Sequence, residues 1–231
     1  MPGRKSTLPL LGPALILLIA GIVWWWPRDS IKPAGGSTKA ESWQAVDFTA
    51  LKPGGSIPGW DVNQGAFHLV EREGHTVLEL QPEPMGEGKL KWSQIMTGGG
   101  AVRARMQGER TRRAAPRFCV ALQGESEIQF RAVPAKKVIE IAVPGIPEKV
   151  LASAPWEWKP DQPLWLEFKA GPDKSGGTLF EGRVWSGGEP RPDAPTIQYQ
   201  SPAPPGLLRA IVEGAPYALR PIHYDRIEAL R

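Results

Sequence analysis

From Trp43 onward the chain is built of short segments in which apolar and polar residues alternate. A period of two places successive side chains on opposite faces of a β-strand. Gly- and Pro-containing turns separate the segments, which recur about every ten residues. The pattern predicts roughly a dozen antiparallel strands. The segments are AFHLVERE, TVLELQ, AVRARMQG, RFCVALQ, EIQFRAV, KVIEIAV, PLWLEFKAG, GTLFEGRVW, PTIQYQ, GLLRAIVEG and IHYDRIEAL.

Regular short strands with turns between them predict an all-β sandwich or barrel. The sequence has no internal repeat of fixed period, which argues against a propeller or a solenoid. Composition agrees with this class. Glycine (26) and proline (25) supply more than a fifth of the 231 residues, and 41% of the chain is hydrophobic, enough for a packed core. We therefore predict one all-β domain over residues 43–231.

The strongest single signal lies near the N-terminus, where residues 8–26 carry no charge. About twenty apolar residues span a bilayer. Arg4 and Lys5 precede the run, which favours a cytoplasmic N-terminus, and three tryptophans end it, where the far membrane interface would lie. A cleaved signal peptide is the alternative. The length of the run and the absence of a small-x-small site favour an uncleaved signal anchor.

The segment after this run, residues 27–42, is rich in Pro, Gly, Ser and Lys, which is typical of a flexible linker. We expect a single-pass membrane protein with a cytoplasmic N-terminus and a C-terminal domain exported to the periplasm or the cell exterior. The exported part carries 26 basic and 24 acidic residues. This balance does not favour a nucleic-acid partner. The expected boundaries are a tail at 1–7, the transmembrane anchor at 8–26, the linker at 27–42 and the β-sandwich domain at 43–231.

Four motifs of the second half resemble a known fold family: WKPDQPLWLEFK, GRVWSGGEP, PGLLRA and IHYDRIEAL. Together they are similar to the concanavalin A-like lectin/glucanase sandwiches, and more narrowly to the laminin-G-like and glucanase-like domains of bacterial envelope proteins. The resemblance implies a jelly-roll sandwich whose first strand, AVDFTA, pairs with the last. It also implies carbohydrate or protein binding as the common task. Some members hold a structural calcium, for which the matching carboxylates would be Asp47 and Asp225, only two of the six to eight oxygens that calcium takes.

The sequence supplies no recognisable catalytic or cofactor motif. Retaining glucanases of this family carry Glu-x-Asp-x-x-Glu on one strand, and here only Glu125 and Glu127 stand two apart, which we interpret as a solvent-facing strand edge. The three histidines are far apart, and no P-loop, dinucleotide fingerprint or G-x-S-x-G turn is present. We therefore predict no catalytic residue, no cofactor and no metal site. The single cysteine, Cys119, lies in a strand and is expected to be a buried thiol.

Three successive segments offer the best candidate for a binding surface. In each, one side of the strand is apolar and the other mixes aromatic, charged and amide side chains. If the apolar sides face the core, the mixed sides form one outer surface. Flat rings beside polar groups suit sugars, which need apolar stacking and oriented hydrogen bonds. The predicted ligand-binding residues are Trp165, Glu181, Arg183, Trp185 and Gln198.

We thus expect a non-catalytic, lectin-like module that binds a glycan or an envelope protein. A glycan-processing hydrolase with an unrecognised carboxylate pair is a second hypothesis, and a structural domain that docks a partner protein is a third. The two tryptophans leave another interpretation open, because rings near sheet ends often only cover the core rim. The basic segment GERTRRAAPR, with Arg110, Arg112, Arg113 and Arg117, is either an ordinary exposed loop or a contact for anionic glycans or lipid headgroups.

Overall fold

The computed structural model of the protein describes residues 42–82, 86–160 and 162–231. They form two eight-stranded antiparallel sheets. The elements are β1 (Gln44–Ala45), η1 (Phe48–Ala50), β2 (Trp60–Gln64), β3 (Phe67–Arg72), β4 (His75–Leu80), β5 (Gly88–Trp92), β6 (Met96–Thr97), β7 (Gly100–Gln107), β8 (Arg117–Gln123), β9 (Glu127–Val133), η2 (Pro134–Lys136), β10 (Val138–Val143), β11 (Lys149–Pro155), β12 (Leu164–Pro172), β13 (Thr178–Ser186), β14 (Ile197–Ser201), β15 (Leu207–Ala215) and β16 (Ile222–Leu230).

The two sheets pack face to face as a sandwich, as the alternation predicts. The first has the order β14-β13-β12-β7-β16-β4-β3, with β1 beside β16. The second has the order β11-β10-β9-β8-β15-β5-β2, with β6 beside β15. Strands distant in sequence, such as β7 and β16, are neighbours, so long-range pairing defines the fold.

The core lies between the sheets and is built from the apolar face of each strand. Phe168 on β12 stacks on Phe130 of the opposite sheet at 5.9 Å and on Phe180 of the neighbouring strand at 5.7 Å. Leu166 and Leu164 on β12 are buried with Phe168, as predicted. Fully burying such side chains contributes about 1.5–3 kcal/mol each. This burial fixes which face of each strand points outward.

The expected first strand, AVDFTA, is wrong in extent. Only Gln44–Ala45 pairs with β16, opposite Ala229 and Glu228. The Asp47 side chain then accepts hydrogen bonds from the backbone N–H of Thr49 at 3.0 Å and from its hydroxyl at 2.6 Å. This cap turns the backbone into the 3-10 helix η1, since such local bonds compete with strand pairing. The predicted neighbourhood of the first and last strands is nevertheless confirmed.

Four strands were not predicted: β2, β5, β6 and β11. The edge strands β2 and β11 are largely exposed on both faces, so their sequences show no clear alternation. β6 is only two residues long. Cys119 is buried on β8, as predicted, and this burial raises the pKa of its thiol well above the usual value.

The predicted anchor and the linker up to residue 41 lie outside the described residues. Within the ranges that the structure describes, the helices are the three-residue turns η1 and η2. None of them has the length or the apolar character that a bilayer-crossing helix needs.

Candidate functional site

Strand register brings the five predicted binding residues onto the outer face of the first sheet. Trp165 on β12 lies opposite Trp185 on β13. Glu181 on β13 lies opposite Gln198 on β14, whose amide donates to the Glu181 carboxylate at 3.1 Å. Arg183 lies between Glu181 and Trp185 along β13, with its Nη2 atom 3.8 Å from Glu181 Oε1. The predicted juxtaposition is therefore present in the structure.

The aromatic rings of this face belong to a stacked row of four side chains, which we name the Trp–Arg ladder. Trp165 and Trp185 stack with their centroids 5.5 Å apart and their planes 9° from parallel. The Arg103 guanidinium lies 5.5 Å from the Trp165 centroid and 4.1 Å from that of Trp43. Because β12 lies between β7 and β13, Arg103 and Trp185 flank Trp165 on opposite sides. A sugar ring would find both faces of Trp165 already covered.

Below the ladder, Glu167 is fully buried although it lies on the outer face of β12. A buried carboxylate needs charged partners. Arg191 supplies a two-pronged contact at 2.7 and 2.5 Å, and the guanidinium groups of Arg183 and Arg103 approach at 3.4 and 3.7 Å. Arg183 also donates to the Asp193 carbonyl at 3.2 Å. The loop between β13 and β14 is thereby tied down onto this face.

This covering loop corrects one sequence-based expectation. Arg183 and Trp185 are each only 7% exposed, so they are not part of the reachable outer surface that the sequence predicts for ligand binding. Trp165 and Glu181 are half-buried and Gln198 is exposed. The alternation correctly identified the face, but it contained no information on the loop that folds over it. The ligand-binding role of the five residues stays a prediction.

An open cleft of about 490 Å³ lies on the same outer face, beyond β7. A β-bulge at Asp225 builds its floor, because the register of β16 against β7 shifts between Tyr224 and Arg226. Bulges redirect side chains and are frequent at functional sites. Here the extra residue lets His223, Asp225 and Arg226 all line the cleft, while Tyr224 stays in the core. The segment from β1 to η1 forms the wall.

Paired polar groups line this cleft. The Arg105 guanidinium donates to Asp225 through Nε at 2.6 Å and through Nη2 at 2.5 Å, which raises the pKa of Arg105. Arg72 Nη1 donates to the side-chain oxygen Oε1 of Gln107 at 3.5 Å. His223 Nε2 lies 2.9 Å from Glu79, yet burial, together with Arg72, lowers the pKa of His223. At neutral pH the imidazole is therefore uncharged.

The two carboxylates considered for calcium, Asp47 and Asp225, do line the same cleft. However, Asp225 is held by Arg105, and Asp47 caps η1. Among the residues that the structure describes, no group of three or more His, Cys, Asp or Glu side chains could hold a metal ion. The geometry offers calcium too few free oxygens.

A second polar cluster lies on the outer face of the opposite sheet. Lys89 on β5 places its ammonium 2.7 Å from Glu127 and 2.7 Å from Glu213. The Gln129 amide donates to the same two carboxylates, at 2.9 and 2.8 Å. Because one nitrogen contacts an oxygen of each carboxylate at 2.7 Å, these two oxygens lie no more than twice that distance apart. The interpretation of Glu127 as a solvent-facing strand edge is wrong, since β9 lies between β8 and β10.

Burial and the neighbouring Glu127 raise the pKa of Glu213 to about 7, from an ordinary value of 4.5. Two carboxylates this close cannot both ionise freely. Their side chains are only 9% (Glu127) and 6% (Glu213) exposed. Sequence reasoning missed the pair because its members stand on β9 and β15, which are distant in the chain and joined only by sheet pairing through β8.

No protein-family model and no curated protein matches the sequence. Solved structures do match the fold. A variant of the Emp46p carbohydrate recognition domain aligns over 81% of this chain and 97% of its own length, with a TM-score of 0.56 and 9% identity. A lectin from Bauhinia forficata in complex with GalNAc aligns over 83% and 98%, with a TM-score of 0.54 and 10% identity. The Crh5 transglycosylase in complex with NAG aligns over 83% and 84%, with a TM-score of 0.54 and 8% identity. The chain therefore has the concanavalin A-like sandwich fold that its sequence predicts.

The first testable consequence concerns Trp185. Because the ring is buried in the ladder, replacing it with alanine should lower the free energy of unfolding by about 3–5 kcal/mol, and Trp185→Phe should cost less. Gln198→Ala, on the same face but exposed, should change stability by less than about 0.5 kcal/mol. Urea unfolding measures all three. Equal, small effects of Trp185→Ala and Gln198→Ala would show that the ring is not part of the packed structure.

The second consequence concerns pH. The pKa of Glu213 is higher in the folded protein than in the unfolded chain, so the folded protein binds this proton more tightly. The contribution of the protonated carboxyl to stability is therefore full below about pH 4.5 and is lost as the pH rises to about 7. Glu213→Gln should remove this dependence. As the pH rises from about 4.5 to about 7.5, the free energy of unfolding of the variant should increase by about 1–3 kcal/mol relative to that of wild type. Glu125→Gln, at an exposed turn, is the control. Parallel stability curves for Glu213→Gln and wild type would contradict the assignment.

Proposed function

We propose that this domain binds a carbohydrate, and that the ligand occupies the cleft between η1 and the bulged strand β16. The observation that carries the proposal is an open concavity lined by charged and amide side chains that are already fixed in pairs. Binding sites of this kind hold their polar groups in place before the ligand arrives. The lectin-type fold of the solved neighbours, one of which was determined with GalNAc, supports the same ligand class.

Unused hydrogen-bonding capacity favours a polyhydroxylated ligand over an ion. Within the described part of the chain, Arg105 Nη1 and Gln107 Nε2 donate no hydrogen bond, and Thr49 donates to Asp47 through Oδ1, which leaves acceptor capacity on Oδ2. Each sugar hydroxyl is both a donor and an acceptor. Neighbouring hydroxyls of a sugar can therefore use both donors and the acceptor. An ion is less suited to the cleft, because the Arg105–Asp225 pair is neutral overall and attracts neither anions nor cations strongly.

The test uses two variants that leave the supporting structure in place. Asp47→Asn keeps an η1 cap, since Asn caps helices as well as Asp, but it converts the free acceptor into a donor. Gln107→Glu keeps an acceptor oxygen for Arg72 but replaces the free amide donor with an acceptor. A glycan array probed with the full-length chain in detergent identifies the ligand, and titration then compares the variants.

Each variant should weaken binding about two- to tenfold, which is the change in affinity expected for the loss of one hydrogen bond. Lys174→Gln, on the exposed β12–β13 turn, should bind like wild type. Unchanged affinity in both cleft variants would place the ligand elsewhere. A chain that binds no glycan at all would favour the third hypothesis, a domain that docks an envelope protein.

A second candidate function is glycoside cleavage at Glu127 and Glu213. Retaining glycosidases hold their two carboxyl groups about 5–5.5 Å apart, and the shared contact with Lys89 sets a compatible upper limit. A carboxyl whose pKa is about 7 also suits a general acid. If this function is present, the protein releases reducing ends from its glycan, and Glu213→Gln abolishes release while Asp47→Asn weakens only binding. If the wild-type protein binds the glycan but releases no reducing ends, the result contradicts glycoside cleavage and favours the non-catalytic function.

We also propose that residues 8–26 anchor the chain in a membrane and that the domain is exported. The uncharged run between Arg4, Lys5 and the linker supports this proposal. The protein should fractionate with membranes and keep its N-terminal sequence. Mass spectrometry that finds a mature N-terminus between residues 20 and 45 would contradict it.

A further inference from the structure

Three loops at one end of the second sheet enclose a small pocket of about 220 Å³. They are the β7–β8 loop, the η2 turn and the segment that follows β11. The Trp156 N–H donates to the Lys137 carbonyl at 2.9 Å, which joins the segment after β11 to the η2 turn. Within the β7–β8 loop, Thr111 N–H donates to the Ala114 carbonyl at 2.9 Å. We name this the arginine pocket, and the side chains important here are Arg110, Arg112, Arg113, Lys137 and Trp158.

The charge of the arginine pocket is largely uncompensated. Arg110, Arg112 and Arg113 are exposed, and none of them forms an ion pair with any residue that the structure describes. Lys137 contacts Glu157 at 3.2 Å, and Glu157 is the one acidic residue among the described residues that line the pocket. Elsewhere in the described part of the chain, Arg103, Arg105 and Arg131 each form ion pairs. An uncompensated cluster attracts anions.

A second, independent feature lies in the same pocket. Trp158 lines it and is only 8% exposed, with its ring packed edge-on against Phe118 at 5.4 Å. Its buried indole Nε1 has no hydrogen-bond partner among the described residues. An unmade hydrogen bond of a buried donor costs about 1–3 kcal/mol, and indole N–H groups are usually paired when buried. The indole donor is therefore left without an acceptor among the described residues.

From these two features we infer that the arginine pocket binds a tetrahedral oxyanion, a sulfate or phosphate ester carried by a glycan. Such a group presents several acceptor oxygens, which match the planar fork of arginine and also supply an acceptor for the indole. The exposed arginine side chains can move aside to admit it, because no ion pair holds them. A neutral sugar would leave their charges unused. The site lies apart from the cleft. The choice of a glycan as the carrier rests on the proposed function, whereas binding of free sulfate or phosphate does not.

The experiment measures binding to the full-length chain by titration calorimetry. The probes are inorganic sulfate, inorganic phosphate, a sulfated oligosaccharide and its desulfated counterpart. Arg112→Gln/Arg113→Gln removes two charges from the pocket, and Lys149→Gln/Lys174→Gln removes two exposed charges elsewhere. Trp158→Phe keeps an aromatic ring but deletes the donor, and its melting temperature shows whether packing is retained.

The sulfated oligosaccharide should bind at least tenfold more tightly than the desulfated one. The arginine variant should lose at least tenfold in affinity for it, the lysine variant should bind like wild type, and Trp158→Phe should lose severalfold. Equal losses in the arginine and lysine variants would overturn the proposal, because binding would then depend on net charge alone. Unchanged binding in Trp158→Phe would overturn the role of the indole donor. Binding to vesicles of anionic phospholipid without binding to the oligosaccharide or the free anions would also overturn it, in favour of a membrane contact.

Discussion

The apolar contact between the two sheets is the interaction on which the rest of this structure depends. Phe168 packs against Phe130 of the opposite sheet, and Leu164 and Leu166 extend the same buried face along β12. Because side chains alternate along a strand, burying this face of β12 makes the residues between its apolar side chains point outward. A slip of one residue would bring Trp165 and Lys169 into the core. The outward faces of the strands follow from this single constraint.

Outward direction does not mean exposure in this protein. Glu167 points away from the core and is nevertheless fully buried, because the β13–β14 loop closes over it with Arg191. On the other sheet, Lys89 satisfies Glu127 and Glu213 in a comparable way. Removing Lys89 would leave two close, buried carboxylates without their cation, which is far more costly than the cluster itself is stabilising. These clusters are therefore rigid parts of the fold as well as polar surfaces.

Surfaces that a ligand can reach arise where the regular pattern is interrupted. The cleft exists because Asp225 is an extra residue in β16 and because Asp47 turns the chain into η1 instead of continuing β1. The arginine pocket lies among loops beyond the ends of β7, β9 and β11. The stacked ladder, in contrast, is regular sheet, and its rings already contact one another. This contrast favours the irregular regions as binding sites, with neutral hydroxyls suited to the cleft and an oxyanion suited to the arginine pocket.

The sequence by itself determined the fold class, most strands and the face on which Trp165, Glu181, Arg183, Trp185 and Gln198 lie, because these follow from a local period of two and from turn residues. It also predicted correctly that Cys119 is buried. Only the tertiary structure decided that Trp185 and Arg183 are covered, since the covering loop is held by Arg191 and Glu167, which are far apart in the chain. The pairing of Glu127 with Glu213 and the assembly of the cleft required sheet order and register. These depend on long-range packing, for which no local pattern carries a signal.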